Sequence, residues 1–98
     1  RTMTSSMITE GKTRNYLVTL YKGNAYQIAT CGDESVTKLD VLLYDTEGNV
    51  VTRAKEVNRE PKIEFTPDDT GTYYIVLYLR ETDGKKKEAG AAMAVVYK

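Results

Sequence analysis

The chain has 98 residues, 41% of them apolar and 29% charged, which suits one soluble domain and is too apolar for a disordered segment. Fourteen basic residues balance fourteen acidic ones, so no net field draws the chain to nucleic acid or to an anionic membrane surface. There is no histidine, and the single cysteine, Cys31, excludes an intrachain disulfide.

Short β-type runs alternate with turn residues along the whole length, which predicts one domain over residues 1–98. Residues 1–10 are either a flexible lead-in or an edge strand, with Met3 to Thr9 as the strand. Tyr16 to Tyr21 places Tyr16, Val18 and Leu20 on one face, and Lys22-Gly23-Asn24 separates it from a strand at Tyr26 to Thr30. Leu39, Val41 and Leu43 alternate with Asp40, Leu42 and Tyr44. Thr46-Glu47-Gly48-Asn49 has hairpin-turn chemistry, with Val50 to Ala54 as the returning strand. Glu56 to Pro61 is a polar loop. Ile63 and Phe65 face inward in the next strand, and Pro67 to Gly71 turns into the most apolar run, Tyr73 to Leu79. An exposed connection at Thr82 to Lys87 and a last strand at Ala92 to Tyr97 complete the pattern. Seven to eight strands with turns between them predict an all-β fold, a two-sheet antiparallel β-sandwich. Only Glu81 to Ala94 could be thought of as helix, and Gly84 and Gly90 argue against it. The longest apolar run is far shorter than the ~20 residues needed to span a bilayer, so no membrane insertion is expected.

Two segments narrow this to a jelly-roll-like sandwich. The run Leu39-Asp40-Val41-Leu42-Leu43-Tyr44-Asp45-Thr46-Glu47-Gly48-Asn49-Val50-Val51 resembles the central hairpin of the bacterial pre-peptidase C-terminal domain. Phe65-Thr66-Pro67-Asp68-Asp69-Thr70-Gly71-Thr72-Tyr73-Tyr74-Ile75-Val76-Leu77 resembles that family's turn and its Gly-Thr-Tyr-Tyr strand. Upstream, Tyr16 to Ile28 is similar to its opening hairpin. The resemblance covers roughly residues 10 to 98 and implies a non-catalytic accessory or binding module, secreted, periplasmic or cell-surface, of the kind attached to hydrolases and related to collagen-binding domains. Arg1 to Ser6 carry no apolar leader, which leaves location to the resemblance alone. The family often has an acidic residue two positions before Asp40. Lys38 stands there in this chain, which weakens any cation site such a pair would build. Asp69 to Tyr73 also resembles the corner of immunoglobulin-like sandwiches, where a tyrosine hydroxyl ties back to backbone.

Catalysis is not expected. Ser5, Ser6 and Ser35 sit in no nucleophile motif, and no histidine can serve as base. No cofactor is expected either. Asp33, Glu34, Asp40, Asp45 and Glu47 could in principle gather as calcium ligands, with Asp33, Asp40 and Asp45 the foremost candidates. A local turn-capping role is expected of them instead, because a turn aspartate can accept from its own backbone. Cys31 reads as a small packing residue rather than a reactive thiol, and Lys85-Lys86-Lys87, flanked by Asp83 and Glu88, as a solvated loop.

The tyrosines are more informative. Tyr16, Tyr26 and Tyr73 fall on inward positions, whereas Tyr74, Val76 and Tyr78 fall on the opposite face of their strand, as Leu42 and Tyr44 do on theirs. A solvated sheet does not require such a row. Tyr44, Tyr74, Val76 and Tyr78 are therefore the expected contact residues for a protein or a carbohydrate. The alternative is a structural spacer or assembly domain that packs the same face against a neighbouring domain or another copy.

Overall fold

The computed structural model describes residues 2–54, 60–85 and 87–97. Eight strands form two four-stranded antiparallel sheets: β1 (Thr2–Thr9), β2 (Thr13–Leu20), β3 (Tyr26–Gly32), β4 (Val36–Tyr44), β5 (Val50–Arg53), β6 (Lys62–Phe65), β7 (Gly71–Thr82) and β8 (Glu88–Tyr97). One sheet has the order β1-β8-β3-β6 and the other β2-β7-β4-β5. The chain crosses between sheets at every connection except β4–β5, which is the two-sheet weave of a jelly roll. No helix occurs among the described residues, and strand makes up 69%. The all-β expectation holds, and the segment around Met3 to Thr9 is a strand at a sheet edge.

Alternation sets the layers. Leu39, Val41 and Leu43 from β4 and Ile75, Leu77 and Leu79 from β7 are at most 1% exposed. They meet a lighter inner face on the other sheet, where Ile28, Ala89, Ala91, Met93 and Val95 are buried. Large side chains against small ones let the layers interdigitate. Val18, Phe65, Tyr16 and Tyr73 pack on the rim of this core, half-buried rather than central.

Three sequence expectations change. Tyr16 to Ile28 is not a hairpin, because β2 and β3 lie in different sheets and the segment between them arches over the end of the sandwich. The arch is pinned by Tyr26, whose hydroxyl accepts from the Tyr21 N–H at 2.8 Å and the Asn24 side chain at 3.3 Å. Tyr26, not Tyr73, therefore makes the tyrosine-to-backbone tie, while Tyr73 meets Phe65 edge-on at 5.6 Å. Second, β7 and β8 are longer than their apolar runs. Glu88-Ala89-Gly90-Ala91 has weak intrinsic β preference, but pairing with β1 on one side and, from Ala91 onward, with β3 on the other overrides it. Third, Leu42 points to the outer face yet is only 7% exposed. The expected polar loop at Glu56 to Pro61 and the middle of the Lys85–Lys87 run lie largely outside the described residues.

Polar groups inside the sandwich are paired. Thr30 donates its hydroxyl to the Pro61 carbonyl at 2.7 Å. Thr82 donates its N–H and hydroxyl to the Glu10 carboxylate at 2.8 and 3.1 Å, which ties the β1–β2 turn to the end of β7. No buried side-chain nitrogen or oxygen among the described residues lacks a partner.

Candidate functional site

The outer face of the β2-β7-β4-β5 sheet brings the expected contact residues together through strand register. Tyr74 lies opposite Leu17 of β2 on one side and Tyr44 of β4 on the other, and Tyr44 lies opposite Val50 of β5. One step along, Asn15, Val76, Leu42 and Arg53 form the next row, and Thr13, Tyr78 and Asp40 the one after. Side chains in such rows are neighbours because adjacent strands are ~5 Å apart.

Exposure is uneven along the rows. Leu17 is 67% exposed, Val50 48% and Tyr74 40%, whereas Tyr44, Val76 and Tyr78 are half-buried. The apolar surface is thus concentrated in the Leu17–Tyr74–Tyr44–Val50 row. Beside it lies a shallow cleft of about 350 Å³, lined by Asn15, Tyr44, Tyr74, Val76 and, from the turn, Asp45, Thr46 and Gly48. Leu17 and Val50 were not among the expected contact residues. Leu17 could have been found, since Val18 inward forces Leu17 outward, but its place beside Tyr74 depends on a pairing that no local pattern encodes.

The turn at the cleft rim is rigidly built. The Asp45 carboxylate accepts from the backbone N–H of Glu47 and of Asn49, each at 2.9 Å, and Gly48 takes φ 86° to close it. The Asn49 N–H, joined by those of Glu47 and Gly48 and by the Asn49 side chain, holds the Asp45 carboxyl below its ordinary 3.8 against some loss of hydration. A carboxyl depressed in the folded state adds stability that is present above its ordinary value and lost as pH falls through the depressed one. Asp45→Asn should therefore lower stability at neutral pH, and the gap from the parent should close on acidification below 3.8. Denaturant melts at a series of pH values would show this, and a gap that widens in acid would contradict it.

The three calcium candidates are not brought together. Asp33 caps the β3–β4 loop, accepting from the Ser35 N–H at 2.8 Å and the Ser35 hydroxyl at 2.6 Å, and from the Gly90 N–H at 2.7 Å. Asp40 lies 3.6 Å from Arg80, and Asp45 holds its own turn. Among the described residues no three metal-ligating side chains converge. Lys38 makes a cross-strand ion pair with Glu81 at 3.6 Å, and the Thr37 hydroxyl donates to the same carboxylate at 2.8 Å. The Thr37 hydroxyl first, and then Lys38, hold Glu81 below the ordinary carboxylate value. Cys31, expected as a small packing residue, is instead exposed on the outer face of the opposite sheet, because the alternation of β3 turns Thr30 and Gly32 inward, and its sulfur lies 3.5 Å from Glu60.

Neither a protein-family profile nor a curated protein sequence matches the chain. Solved structures do. The pre-peptidase C-terminal domain of a collagenase from Bacillus anthracis superposes with a TM-score of 0.76 at 14% identity, over 97% of this chain and 88% of that one. The periplasmic inhibitor of g-type lysozyme from Aeromonas hydrophila superposes with a TM-score of 0.75 at 12% identity, over 99% of this chain and 85% of that one. The fold of the chain is thus that of the collagenase's pre-peptidase C-terminal domain, an eight-stranded jelly-roll sandwich that the lysozyme inhibitor also resembles.

Proposed function

We propose that the chain is a non-catalytic binding module of an extracellular or periplasmic protein, and that it holds a protein partner on the outer face of the β2-β7-β4-β5 sheet. The observation that carries this is the Leu17–Tyr74–Tyr44–Val50 row. It presents aliphatic and aromatic surface on a sheet whose other face already completes the core, beside a shallow cleft with a rigid turn at its rim. Tyrosine with a polar margin is the composition of protein contact surfaces, and Tyr74 supplies a hydroxyl together with a ring. Tyr78 and Val76 extend the face toward Asp40. The two similar structures support the same use: one is a domain that accompanies a collagenase, the other an inhibitor of a lysozyme. A structural role, with the same row packed against a neighbouring domain, uses identical surface.

The test is a Leu17→Ser/Tyr74→Ser double variant, measured against immobilised collagen, a g-type lysozyme and a chitin oligosaccharide. Both residues are exposed, so the melting temperature should stay within a few degrees, at a stability cost of ~0.5 kcal/mol each. Loss of a central tyrosine contact costs about 2 kcal/mol or more, so Kd for the protein that binds should rise about thirtyfold. Undiminished protein binding by the variant would overturn the proposal. Binding of the oligosaccharide alone would assign the face to carbohydrate.

A further inference from the structure

The four strands at the sheet edges differ in how they are protected. An exposed edge offers unpaired N–H and C=O groups to any extended chain, and proteins blunt it with charge, proline, bulges or shortness. β5 and β6 are four residues each; β5 meets a bulge in its pairing with β4 and carries Arg53, and β6 carries Lys62 and Glu64. β2 carries Arg14. β1 has eight residues, Thr-Met-Thr-Ser-Ser-Met-Ile-Thr, with no charge, no proline and no break in its register with β8.

Its hydrogen-bonding direction can be read from its ends. The Glu10 N–H donates to the Lys87 carbonyl beside β8, whereas the Met7 and Thr9 carbonyls point away from β8. Even-numbered residues of β1 therefore bond β8, and Met3, Ser5, Met7 and Thr9 direct their peptide groups to the open side. Two of these are covered. The Arg14 guanidinium donates to the Met7 carbonyl at 3.1 and 3.3 Å, and the Lys12 N–H donates to that of Thr9 at 2.9 Å. Among the described residues, what remains is a short open window whose peptide groups belong to Met3 and Ser5, with Thr4 between them. Met3 is 71% exposed.

We propose that two copies of the chain associate through this window, β1 against β1, antiparallel about a two-fold axis at Thr4. In that register Met3 of each copy pairs with Ser5 of the other, so the N–H and C=O groups that the window exposes bond one another. Any other partner strand would need its own matching window, while a second copy brings one by symmetry. An isologous pairing also sets each strand against itself, and β1 has no charge to repel its twin, nor has the chain a net charge. Arg14 selects the register, because sliding the two-fold toward Ser5 would require its displacement from Met7. The two β1-β8-β3-β6 sheets would join into one continuous sheet, and the remaining ends, β6, are short and charged, so growth stops at the dimer. This surface is separate from the Tyr74 face, and each can fail without the other.

Sedimentation of the 98-residue chain over a concentration series should show a monomer–dimer equilibrium. Met3→Lys/Ser5→Lys keeps both side chains on the outer face but sets like charges opposite each other across the axis, and should weaken dimerisation about tenfold. Ser5→Pro removes only an N–H that points to the open edge, and should also give monomer while circular dichroism remains β-type. In a Cys31→Ser background, Thr4→Cys should form a disulfide-linked dimer on mild oxidation, since residues at such an axis have Cα atoms within disulfide reach. Leu17→Ser/Tyr74→Ser should dimerise as the parent does. A parent that stays monomeric to millimolar concentration, a lysine variant that dimerises undiminished while folded, assembly into longer polymers, or no crosslink at Thr4→Cys would each overturn the proposal.

Discussion

Leu77→Ala is expected to remove about 2–5 kcal/mol of stability, the range for deleting a fully buried leucine side chain without collapse of the surrounding core. Leu77 is 0% exposed and sits in the middle of β7, between Arg14 of β2 and Val41 of β4 in the pairing of its sheet. β7 is the long central strand of that sheet, held on both sides by hydrogen-bonded neighbours, so its backbone cannot move in to fill the void. A domain of this length has about 5–15 kcal/mol in total, and the melting temperature should drop by ten degrees or more. Denaturant unfolding would show a lower midpoint at an unchanged slope. A loss under about 1 kcal/mol would mean that Leu77 is not in the core, and with it the facing of Tyr74, Val76 and Tyr78 would invert.

Gly32→Ala should be nearly as damaging, for a steric reason. A Cβ at Gly32 would come within 2.7–2.8 Å of the Cβ and both Cγ atoms of Val36, closer than packed carbon atoms approach. Val36 is 3% exposed at the start of β4, just beyond the loop that Asp33 caps, so neither backbone nor side chain has room to withdraw. Overpacking of this kind costs about 1–3 kcal/mol. The double variant Gly32→Ala/Val36→Gly, which also removes the Val36 Cβ that would lie 2.7 Å away, separates clash from backbone preference. If the clash is the cause, the second change restores stability in part, and the two effects are strongly non-additive. Simple additivity would refute the steric account.

These two changes also mark where local sequence information ends. That Leu77 faces inward follows from the alternation Tyr73, Ile75, Leu77, Leu79, because successive residues of a strand point to opposite faces. That Gly32 lies against Val36 does not follow from any pattern. The two are joined by a tight loop that carries the chain from one sheet to the other, and their approach depends on how the sheets stack.

The same division holds for the candidate site. The period-two pattern of each strand was enough to put Tyr44 on the outer side of β4, and Tyr74, Val76 and Tyr78 on the outer side of β7. The Asp-Thr-Glu-Gly-Asn turn was legible because Asp45 needs only its own backbone to make its bonds. Which strands are neighbours was not legible, since pairing joins residues far apart in the chain and depends on the stacking of both sheets. Tertiary structure alone set Leu17 and Val50 beside Tyr74 and Tyr44, covered Leu42 on an outer face, and separated Asp33, Asp40 and Asp45. It also turned the expected β2–β3 hairpin into an arch between sheets, and left one uncharged edge of β1 open where Arg14 does not reach. Facing is a local property of the backbone and was legible wherever a strand alternates, whereas the first turn-like residues of β8, and neighbours, edges and clefts, are decided by the packed sandwich.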